Sequence, residues 1–579
     1  MSKKQTIPEN VKKQTKSVLI NEQPWFIKFA IPLIALVIVM VYGQSLSLGY
    51  TYLDDSIFIL DKGTENEKIG NIINAFFQGT FGEKDIYYRP LFRISFILER
   101  QFLFLFPIES FAVIAIKLAH FIEVILHIIC VCLLYKLLQK FSISKTNAFF
   151  WSLVFAVHPV LTMAVVWIPG RNDLMLSIFL FSFFIHFIDY LNTNNRRHLI
   201  WQFVFLLLAL FTKETAVFIP FAAVLYLIVF RRNNLFKNNL LFIYSVWLAE
   251  LVAWYFLRNN ILDKTHSSIP LNETIDTLSE RIPGLLQYIG KIYLPFNLTV
   301  YPTIADTTYV FGIIAALILI VLVWLNKNRN MKMIYFGLGW FVLFILPFFF
   351  VPKKINDALY EHRLYAPLFG MILITIEALP SLIKIAASWF KQIAAVIIIL
   401  FSVMTFQYTR HFMDEITFYS KAAADSPSSA YAVKMLGIRL VYKEREAEAI
   451  PLFKKAFELD TTQMYTRYFL SKLIYLKQDS LVKAKQLLLA EIKLTPTFAE
   501  NYFDLAFIAY KENDFESLIF YLKKVVEIQP KDQMVNNNLL KAYVDTRNKK
   551  EAMNQIDYMR SRGIQIDEAI INQVNKIVE

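Results

Sequence analysis

The chain has 579 residues, of which 56% are hydrophobic and only 18% are charged, whereas an ordinary soluble domain carries about 25% charged residues. This composition excludes a soluble globular enzyme and favours a membrane protein. The net charge of +13 would suit a nucleic-acid-binding protein, but the basic residues stand in short loops between apolar runs. That is a signal of membrane topology, so no nucleic-acid partner is predicted. The two cysteines, Cys130 and Cys132, point to different faces of one predicted helix and cannot bridge.

Eleven apolar runs are of about the length needed to cross the hydrocarbon of a bilayer as helices. They are residues 25–43, 111–138, 147–168, 172–190, 199–212, 214–230, 239–257, 309–326, 332–351, 363–380 and 390–408. The first run follows a polar, basic tail at residues 1–24, and no small-residue cleavage site comes after it. We therefore interpret it as a retained signal anchor.

Lysine and arginine mark alternate loops between these runs, beginning with five lysines in the N-terminal tail. Because cytoplasmic loops carry an excess of Lys and Arg, this side is predicted to be cytoplasmic. Residues 44–110, residues 258–308 and everything after Arg410 then lie on the opposite side. The prediction is an integral membrane protein, either of a bacterial inner membrane with its C-terminal part in the periplasm or of the endoplasmic reticulum with that part in the lumen.

The C-terminal part, residues 425–579, has a repeated pattern instead of long apolar runs. Leucines recur with spacings of 34, 35 and 34 residues at Leu436, Leu470, Leu505 and Leu539. A second column with the same period is formed by Ala449, Ala484, Leu518 and Ala552. This period is typical of tetratricopeptide repeats, so we predict about four helix pairs stacked into an α-solenoid with a concave groove.

Charged and polar residues gather in the segments assigned to the non-cytoplasmic side. They are Asp54 and Asp55 in "YTYLDDSIFI", Glu83, Asp85, Tyr88 and Arg89 at the end of the first loop, His158, Arg171 and Asp173 around the third and fourth runs, Lys213 and Glu214 in "TKET", and Glu361, His362, Arg363 and Tyr365 before the tenth run. Inside the second run, His120, Glu123 and His127 share one helix face, which we interpret as a structural polar seam.

Each cluster also has a simpler interpretation. Asp54 and Asp55 could be solvated loop charges or a helix N-cap. Lys213 and Glu214 could form a local ion pair, and an arginine at this boundary could merely extend its charged end into the interface. The convergence of five segments on one side favours a site instead. A carboxylate there could take a proton from an acceptor hydroxyl while cations hold a phosphate leaving group.

The motifs "YLDDSIFI", "YYRPLFRISFILE", "HFIEVILH", "HPVLTMAVVWIPGRNDLM", "TKET" and "YEHRLYAPLFG", followed by the repeats, resemble in that order the transmembrane-and-tetratricopeptide-repeat O-mannosyltransferases of the GT-C glycosyltransferase superfamily. The resemblance implies an all-α membrane bundle of about eleven transmembrane helices over residues 25–410, with large non-cytoplasmic loops at 44–110 and 258–308. It also implies a polyprenyl- or dolichyl-phosphate sugar donor and transfer of mannose or a similar hexose to Ser or Thr of a protein acceptor. Membrane lipids are expected to surround the bundle.

The resemblance further implies roles for the candidate residues. It maps the paired acidic motif onto Asp54, the expected general base, and Asp55. The segments around Tyr88, Arg89, Arg171 and Asp173 are expected at the site, with Glu83 or Asp85 as a helper carboxylate. The remaining candidates are expected to contact the lipid phosphate or line the site: His158, Lys213, Glu214, Glu361, His362, Arg363 and Tyr365.

Two other functions fit the same sequence. A GT-C enzyme could glycosylate a lipid or a cell-envelope glycan, or the chain could be a non-catalytic, membrane-anchored tetratricopeptide scaffold; the repeats favour a protein or peptide acceptor. Asp54 and Asp55 could hold Mg²⁺ or Mn²⁺, but a lipid monophosphate donor needs no metal to shield a diphosphate. We therefore expect no metal site and a metal-independent reaction.

Overall fold

A computed structural model of the chain describes residues 25–81, 87–105, 111–236, 238–262, 271–351, 358–379 and 390–577. Within these ranges every regular element is helical, as the sequence predicts. The chain divides into two compact units, Met1–Phe418 and Tyr419–Glu579. Helix Glu415–Asp425 runs across this division.

The first unit consists of helices of very different lengths, joined by short helical turns. They are α1 (Ala30–Tyr42), α2 (Pro90–Leu103), α3 (Phe111–Lys140), α4 (Lys145–Ala156), α5 (Thr162–Val166), α6 (Arg171–Thr193), α7 (Arg196–Leu210), α8 (Ile219–Phe230), α9 (Asn238–Ile261), α10 (Leu271–Arg281), α11 (Gly284–Tyr293), α12 (Val310–Leu325), α13 (Met331–Ile345), α14 (Leu368–Ala378) and α15 (Phe390–Thr409).

Each of the eleven predicted runs is helical, but fewer are long enough to cross a membrane by length and composition. In the described part of the chain six candidate spans qualify, at Phe26–Ser47, Val113–Lys140, Ile168–Thr193, Asn239–Ile261, Met331–Phe350 and Gln392–Phe412. Other apolar helices are shorter, such as α12 with 16 residues, which rises about 24 Å against a hydrocarbon thickness of about 30 Å. The eleven-span topology therefore stays a prediction.

The third predicted run forms a bent pair of helices, Lys145–Ala156 and Pro159–Val166, with an angle of 53° between them. Pro159 has no N–H to donate and disfavours helical backbone at the residue before it, and His158 is accordingly extended, with ψ 122°. If the pair crosses the membrane together, it forms a seventh span.

The first loop packs down onto the membrane helices through phenylalanine side chains. Phe58 stacks on Phe96 at 5.1 Å between ring centroids and meets Phe92 edge-on at 4.9 Å. These rings belong to a buried cluster that includes Ala115 and Ala119 of α3. This apolar packing holds the segment after Asp54 and Asp55 against the transmembrane bundle.

The second unit is a row of antiparallel helix pairs. After α16 (Glu415–Asp425) come α17 (Ala430–Tyr442), α18 (Glu446–Leu459), α19 (Thr466–Leu470, continued as a π-helix over Ser471–Leu476), α20 (Leu481–Ile492), α21 (Ala499–Lys511), α22 (Phe515–Ile528), α23 (Gln533–Asp545), α24 (Lys549–Ser561) and α25 (Glu568–Asn575). The second predicted column is buried: Ala449, Ala484 and Ala552 have no exposed surface, and Leu518 is 7% exposed. Four pairs and a final helix are the arrangement of tetratricopeptide repeats.

Candidate functional site

The two aspartates after the first helix have different surroundings. Asp55 is buried, and its carboxylate accepts hydrogen bonds from Thr51 N at 2.6 Å, Thr51 Oγ1 at 2.8 Å and Ser56 N at 2.9 Å. Asp54 is partly buried, and no described residue donates a hydrogen bond to its carboxylate. Asp55 therefore holds the loop, whereas Asp54 keeps its lone pairs available.

The loop backbone is strained where it presents Asp54. Tyr52 and Asp54 have φ angles of 56° and 67°, in the left-handed region that residues with a side chain rarely adopt. Burial raises the pKa of Asp54 to about 6, against the opposing effect of the Arg89 guanidinium. Burial likewise raises the pKa of Asp55 to about 6, although its hydrogen bonds act in the other direction.

The end of the first loop is tied to the turn between α7 and α8. Arg89 donates from Nε and from a terminal nitrogen to Glu214 Oε2, at 2.9 and 2.8 Å. The backbone N–H of Tyr88 donates to the other Glu214 oxygen at 3.2 Å. The Arg89 guanidinium also lies 4.4 Å from the centroid of the Tyr87 ring. Glu214 is thus a partner of the first loop, and not of its sequence neighbour Lys213.

Lys213 pairs with Asp173 at the start of α6, with 2.5 Å between Nζ and Oδ1. Burial lowers the pKa of Lys213 to about 8, opposed by Asp173 and reinforced by the positive charges of Arg89 and Arg363. Since charges act strongly only over short distances, this shared influence indicates that the three cations lie near one another.

Arg363 is buried but has no carboxylate in contact among the described residues. Its guanidinium donates to the Ala358 carbonyl at 3.0 Å and lies 5.0 Å from the centroid of Phe348. The ammonium of Lys213 approaches the same Phe348 ring at 5.4 Å. Both cations therefore lie against one aromatic ring, and no acid among the described residues is in contact with Arg363.

His362 completes this group of side chains. Its ring is stacked on Tyr360 at 5.3 Å and lies 5.1 Å from the ring of Trp167, while Nδ1 is 3.5 Å from the sulfur of Met163. Burial, with Lys213, Arg363 and Arg89 adding to it, lowers the pKa of His362 well below its ordinary value. The imidazole is therefore neutral at physiological pH. We call Asp54, Arg89, Lys213, His362 and Arg363 the cationic cluster.

Arg171 belongs to a separate group. It is fully buried and makes ion pairs with Glu123 at 2.6 Å and Glu99 at 2.8 Å, and it lies 4.1 Å from the centroid of Phe96. A further contact at 3.3 Å goes to Ser95 Oγ. Because its donors are occupied by side chains of α2 and α3, Arg171 joins the first loop to the bundle. The polar seam of α3 supplies one of these partners.

Four more candidates have protein partners of their own. Glu361 accepts from Lys291 Nζ at 2.7 Å and from Thr299 N at 2.9 Å. Tyr365 shares a 2.7 Å hydrogen bond with Nδ1 of His127, another member of the α3 seam. His158 is saturated by a backbone carbonyl and a backbone N–H. Tyr88 buries its hydroxyl against the Phe76 carbonyl. Glu83 and Asp85 lie outside the described residues.

An apolar cavity of about 590 Å³ opens between α4, α11, α12, α14 and α15. Ile292 lines it, and the adjacent Lys291 is the partner of Glu361, which directly precedes His362 and Arg363. His158 also lines the cavity, with Phe401 at 4.7 Å from its ring. The cavity is thus linked to His362 and Arg363 of the cationic cluster through the ion pair of Lys291 with Glu361.

The aspartate pair does not fit a divalent cation well. Both oxygens of Asp55 already accept hydrogen bonds from N–H and O–H groups, which leaves Asp54 as the available carboxylate. Among the residues that the structure describes, no group of three or more His, Cys, Asp or Glu side chains has the arrangement of a metal site. Mg²⁺ and Mn²⁺ usually have more protein ligands than one carboxylate when no substrate phosphate assists.

Sequence reasoning missed several residues of the site. Trp167, Tyr360 and Phe348 supply the aromatic surfaces of His362, Lys213 and Arg363. Trp167 begins the segment "WIPGRND", and Tyr360 stands immediately before "EHR". Their positions next to these motifs could have indicated that both lie at the site. Phe348 lies in an apolar run and has no distinguishing pattern.

Comparisons with known proteins found a family match within the membrane unit and solved structures of low similarity. Residues 110–256, about a quarter of the chain, match the family described as dolichyl-phosphate-mannose-protein mannosyltransferase. Among curated proteins none matches the chain. The crystal structure of the MamA protein is 20% identical and covers 28% of this chain and 82% of its own, with a TM-score of 0.22. YrrB, titled a TPR protein with an unusual peptide-binding site, is 21% identical with the same coverage and a TM-score of 0.23.

The family match runs from the beginning of α3 into α9. It therefore includes Asp173, Lys213 and Glu214, whereas Asp54 and Arg363 lie outside it. Together with the long apolar helices, the match indicates a membrane-bound glycosyltransferase of the mannosyltransferase type.

Proposed function

We propose that the protein transfers a hexose, mannose or a close relative, from a polyprenyl-phosphate carrier to a Ser or Thr hydroxyl of a protein on the non-cytoplasmic side of the membrane. The observation that carries the proposal is the cationic cluster. The Asp54 carboxylate, to which no described residue donates a hydrogen bond, lies under the influence of Arg89. Two further cations, Lys213 and Arg363, are buried, and Arg363 has no acid in contact among the described residues. The family match supports the sugar and the lipid-phosphate donor.

Asp54 is the general base in this proposal. It removes the proton of the acceptor hydroxyl as the oxygen forms a bond to the anomeric carbon of the sugar. The bond between that carbon and the phosphate oxygen breaks, and the electron pair leaves with the lipid phosphate. With a pKa of about 6, Asp54 is ionised at neutral pH yet more basic than an ordinary carboxylate, which suits proton removal near pH 7.

The cations of the cluster offset the negative charge that develops on the departing phosphate. Arg363 has no acid in contact in the described part of the chain and offers a planar pair of donors suited to phosphate. Lys213 approaches the same Phe348 ring as Arg363, and the neutral His362 has ring N–H capacity for a further hydrogen bond. Donors held in place before the reaction stabilise such charge without reorganisation.

The apolar cavity is proposed to hold the first isoprene units of the carrier. Its walls are almost entirely aliphatic and aromatic, and its volume of about 590 Å³ falls within the range of about 300–1,000 Å³ usual for ligand sites. The tetratricopeptide unit is proposed to bind the acceptor protein, since stacked repeats present extended surfaces for peptides.

The test is a transfer assay with the purified full chain, a panel of polyprenyl-phosphate sugars and Ser/Thr-containing peptides. Asp54→Asn keeps the shape of the side chain and removes the base, so the transfer rate is expected to fall by about 10²–10⁴. Asp61→Asn is the matched control, because Asp61 is exposed in the same loop and should leave the rate unchanged.

Full transfer by the Asp54→Asn variant would refute the role of Asp54. Transfer to lipids or glycans, with no labelled peptide under any donor, would replace the protein acceptor by the alternative acceptors. Activity that disappears with EDTA and returns with Mn²⁺ would contradict the metal-independent reaction.

A further inference from the structure

Trp167 touches both halves of the proposed active site. It lies in extended backbone between α5 and α6, with φ −88° and ψ 114°. Its indole Nε1 donates a hydrogen bond of 2.6 Å to the carbonyl of Leu53, the residue immediately before Asp54. The same indole lies 5.1 Å from the His362 ring and stacks on Tyr360 at 6.3 Å.

The hydrogen bond reaches the loop at its strained point. Leu53 stands between Tyr52 and Asp54, whose φ angles are both positive. Such backbone persists only when surrounding contacts hold it, and the peptide joining Leu53 to Asp54 is held from outside the loop by Trp167. The bonds of the Asp55 carboxylate to Thr51 and Ser56 act within the loop and do not connect it to the bundle.

Trp167 itself stands on a rigid support. The turn that follows it ends at Gly170, where an added Cβ would lie 2.6 Å from the carbonyl oxygen of Ala164. The backbone of α5 and the start of α6 therefore approach too closely for any other residue at this position. Trp167 is also almost completely buried, with 6% of its surface exposed. Its indole thus has little freedom to follow a moving loop.

We propose that Trp167 is a positioning residue that fixes the Asp54 loop relative to the segment of His362 and Arg363. It would set the distance between the base that activates the acceptor and the cations that receive the lipid phosphate. This inference rests on the proposed function for its effect on catalysis, but the restraint on the loop can be measured independently of it.

The test compares Trp167→Phe with Trp340→Phe in the full chain. Trp340 is a matched control because it is fully buried and its Nε1 donates at 2.9 Å to the carbonyl of Ala366, and not to the loop that carries Asp54. Both substitutions keep an aromatic ring and remove one indole N–H bonded to a backbone carbonyl. Any general cost of losing such a bond is therefore shared by the two variants.

For Trp167→Phe we expect kcat to fall by about three- to tenfold, the equivalent of one hydrogen bond, with an unchanged KM for the donor. Backbone amide exchange of residues 50–59, followed by mass spectrometry, should accelerate in Trp167→Phe and not in Trp340→Phe. The control should keep the wild-type kcat.

Equal exchange rates and equal kcat in the two variants would overturn the positioning role and leave Trp167 as an ordinary buried side chain. The outcome is separable from the proposed function. If Asp54→Asn retains full transfer, the proposed function fails, and accelerated exchange in Trp167→Phe would still establish the restraint. If Asp54→Asn loses transfer while Trp167→Phe matches its control, only the role of Trp167 fails.

Discussion

Arg171 and Arg363 are both buried arginines next to motifs of the membrane unit, yet their surroundings differ. Arg171 has two carboxylates at 2.6 and 2.8 Å. Arg363 has a carbonyl and aromatic rings and, among the described residues, no acid in contact. A buried charge needs compensation. Two carboxylates compensate the charge of Arg171, which is therefore a structural link. No described acid compensates the charge of Arg363, and a substrate anion can do so.

Removing Arg171 should have the largest effect on stability. Arg171→Met leaves Glu99 and Glu123 buried without their cation, so the free energy of unfolding should drop by about 3–5 kcal/mol. Chemical unfolding in detergent micelles measures this loss. A variant as stable as the wild type would contradict the structural role of Arg171 and its difference from Arg363.

Removing Arg363 should instead affect the reaction. Arg363→Met takes away a charge proposed to stabilise the departing phosphate, so kcat should fall by about 10²–10³. Since no described acid is in contact with Arg363, the substitution leaves no described acid without its cation. The loss in the free energy of unfolding should therefore stay near 1 kcal/mol. Arg363→Lys, which keeps the charge but not the planar donors, should lose less activity. A large stability loss with unchanged kcat would contradict the assignment.

The pH profile sharpens the comparison because the cationic cluster contains groups that titrate near neutrality. Burial raises the pKa of Asp54 to about 6 and lowers that of Lys213 to about 8. Since Asp54 must be ionised and Lys213 protonated, the rate should be highest between these values and fall about tenfold per pH unit beyond either limb. A flat profile from pH 5 to 9 would contradict both roles.

The same pKa shift of Asp54 has a consequence for stability. A folded-state pKa above the ordinary value means that the fold favours the protonated carboxyl, so this contribution to stability is present at low pH and lost as pH rises through about 6. Asp54→Asn should therefore be slightly more stable than the wild type at pH 7 and not at pH 4. Thermal unfolding at the two pH values measures the difference, and equal differences would contradict the raised pKa.

A smaller effect on the reaction than that of Arg363→Met is expected at the apolar cavity. Ala394 lines it, whereas Val396 on the same helix is 61% exposed. Ala394→Phe should fill part of the cavity and raise the KM for a long-chain donor by roughly tenfold, or about 1.4 kcal/mol. Val396→Phe is the control and should leave the KM unchanged. Equal KM values in the two variants would exclude the cavity as the site of the carrier.

The sequence predicted the helical class, the membrane character and the repeats because each depends on local patterns. Apolar length indicates candidate membrane helices. The two repeating columns marked positions that are buried, such as Ala449 and Ala552 without exposed surface, except for Leu436, which is partly exposed. The partners of charged residues were less predictable. Lys213 and Glu214 are adjacent in sequence, and yet Lys213 pairs with Asp173 and Glu214 with Arg89.

The sequence by itself determined which residues could carry chemistry, because a carboxylate or guanidinium in an apolar chain is conspicuous. Only the tertiary structure decided which of them are compensated by the protein. Asp54 and Asp55 are neighbours of the same type, but Thr51 and Ser56 bind one of them and no described donor binds the other. The reason is physical: compensation depends on contacts between residues distant in sequence, and those contacts exist only after the helices pack.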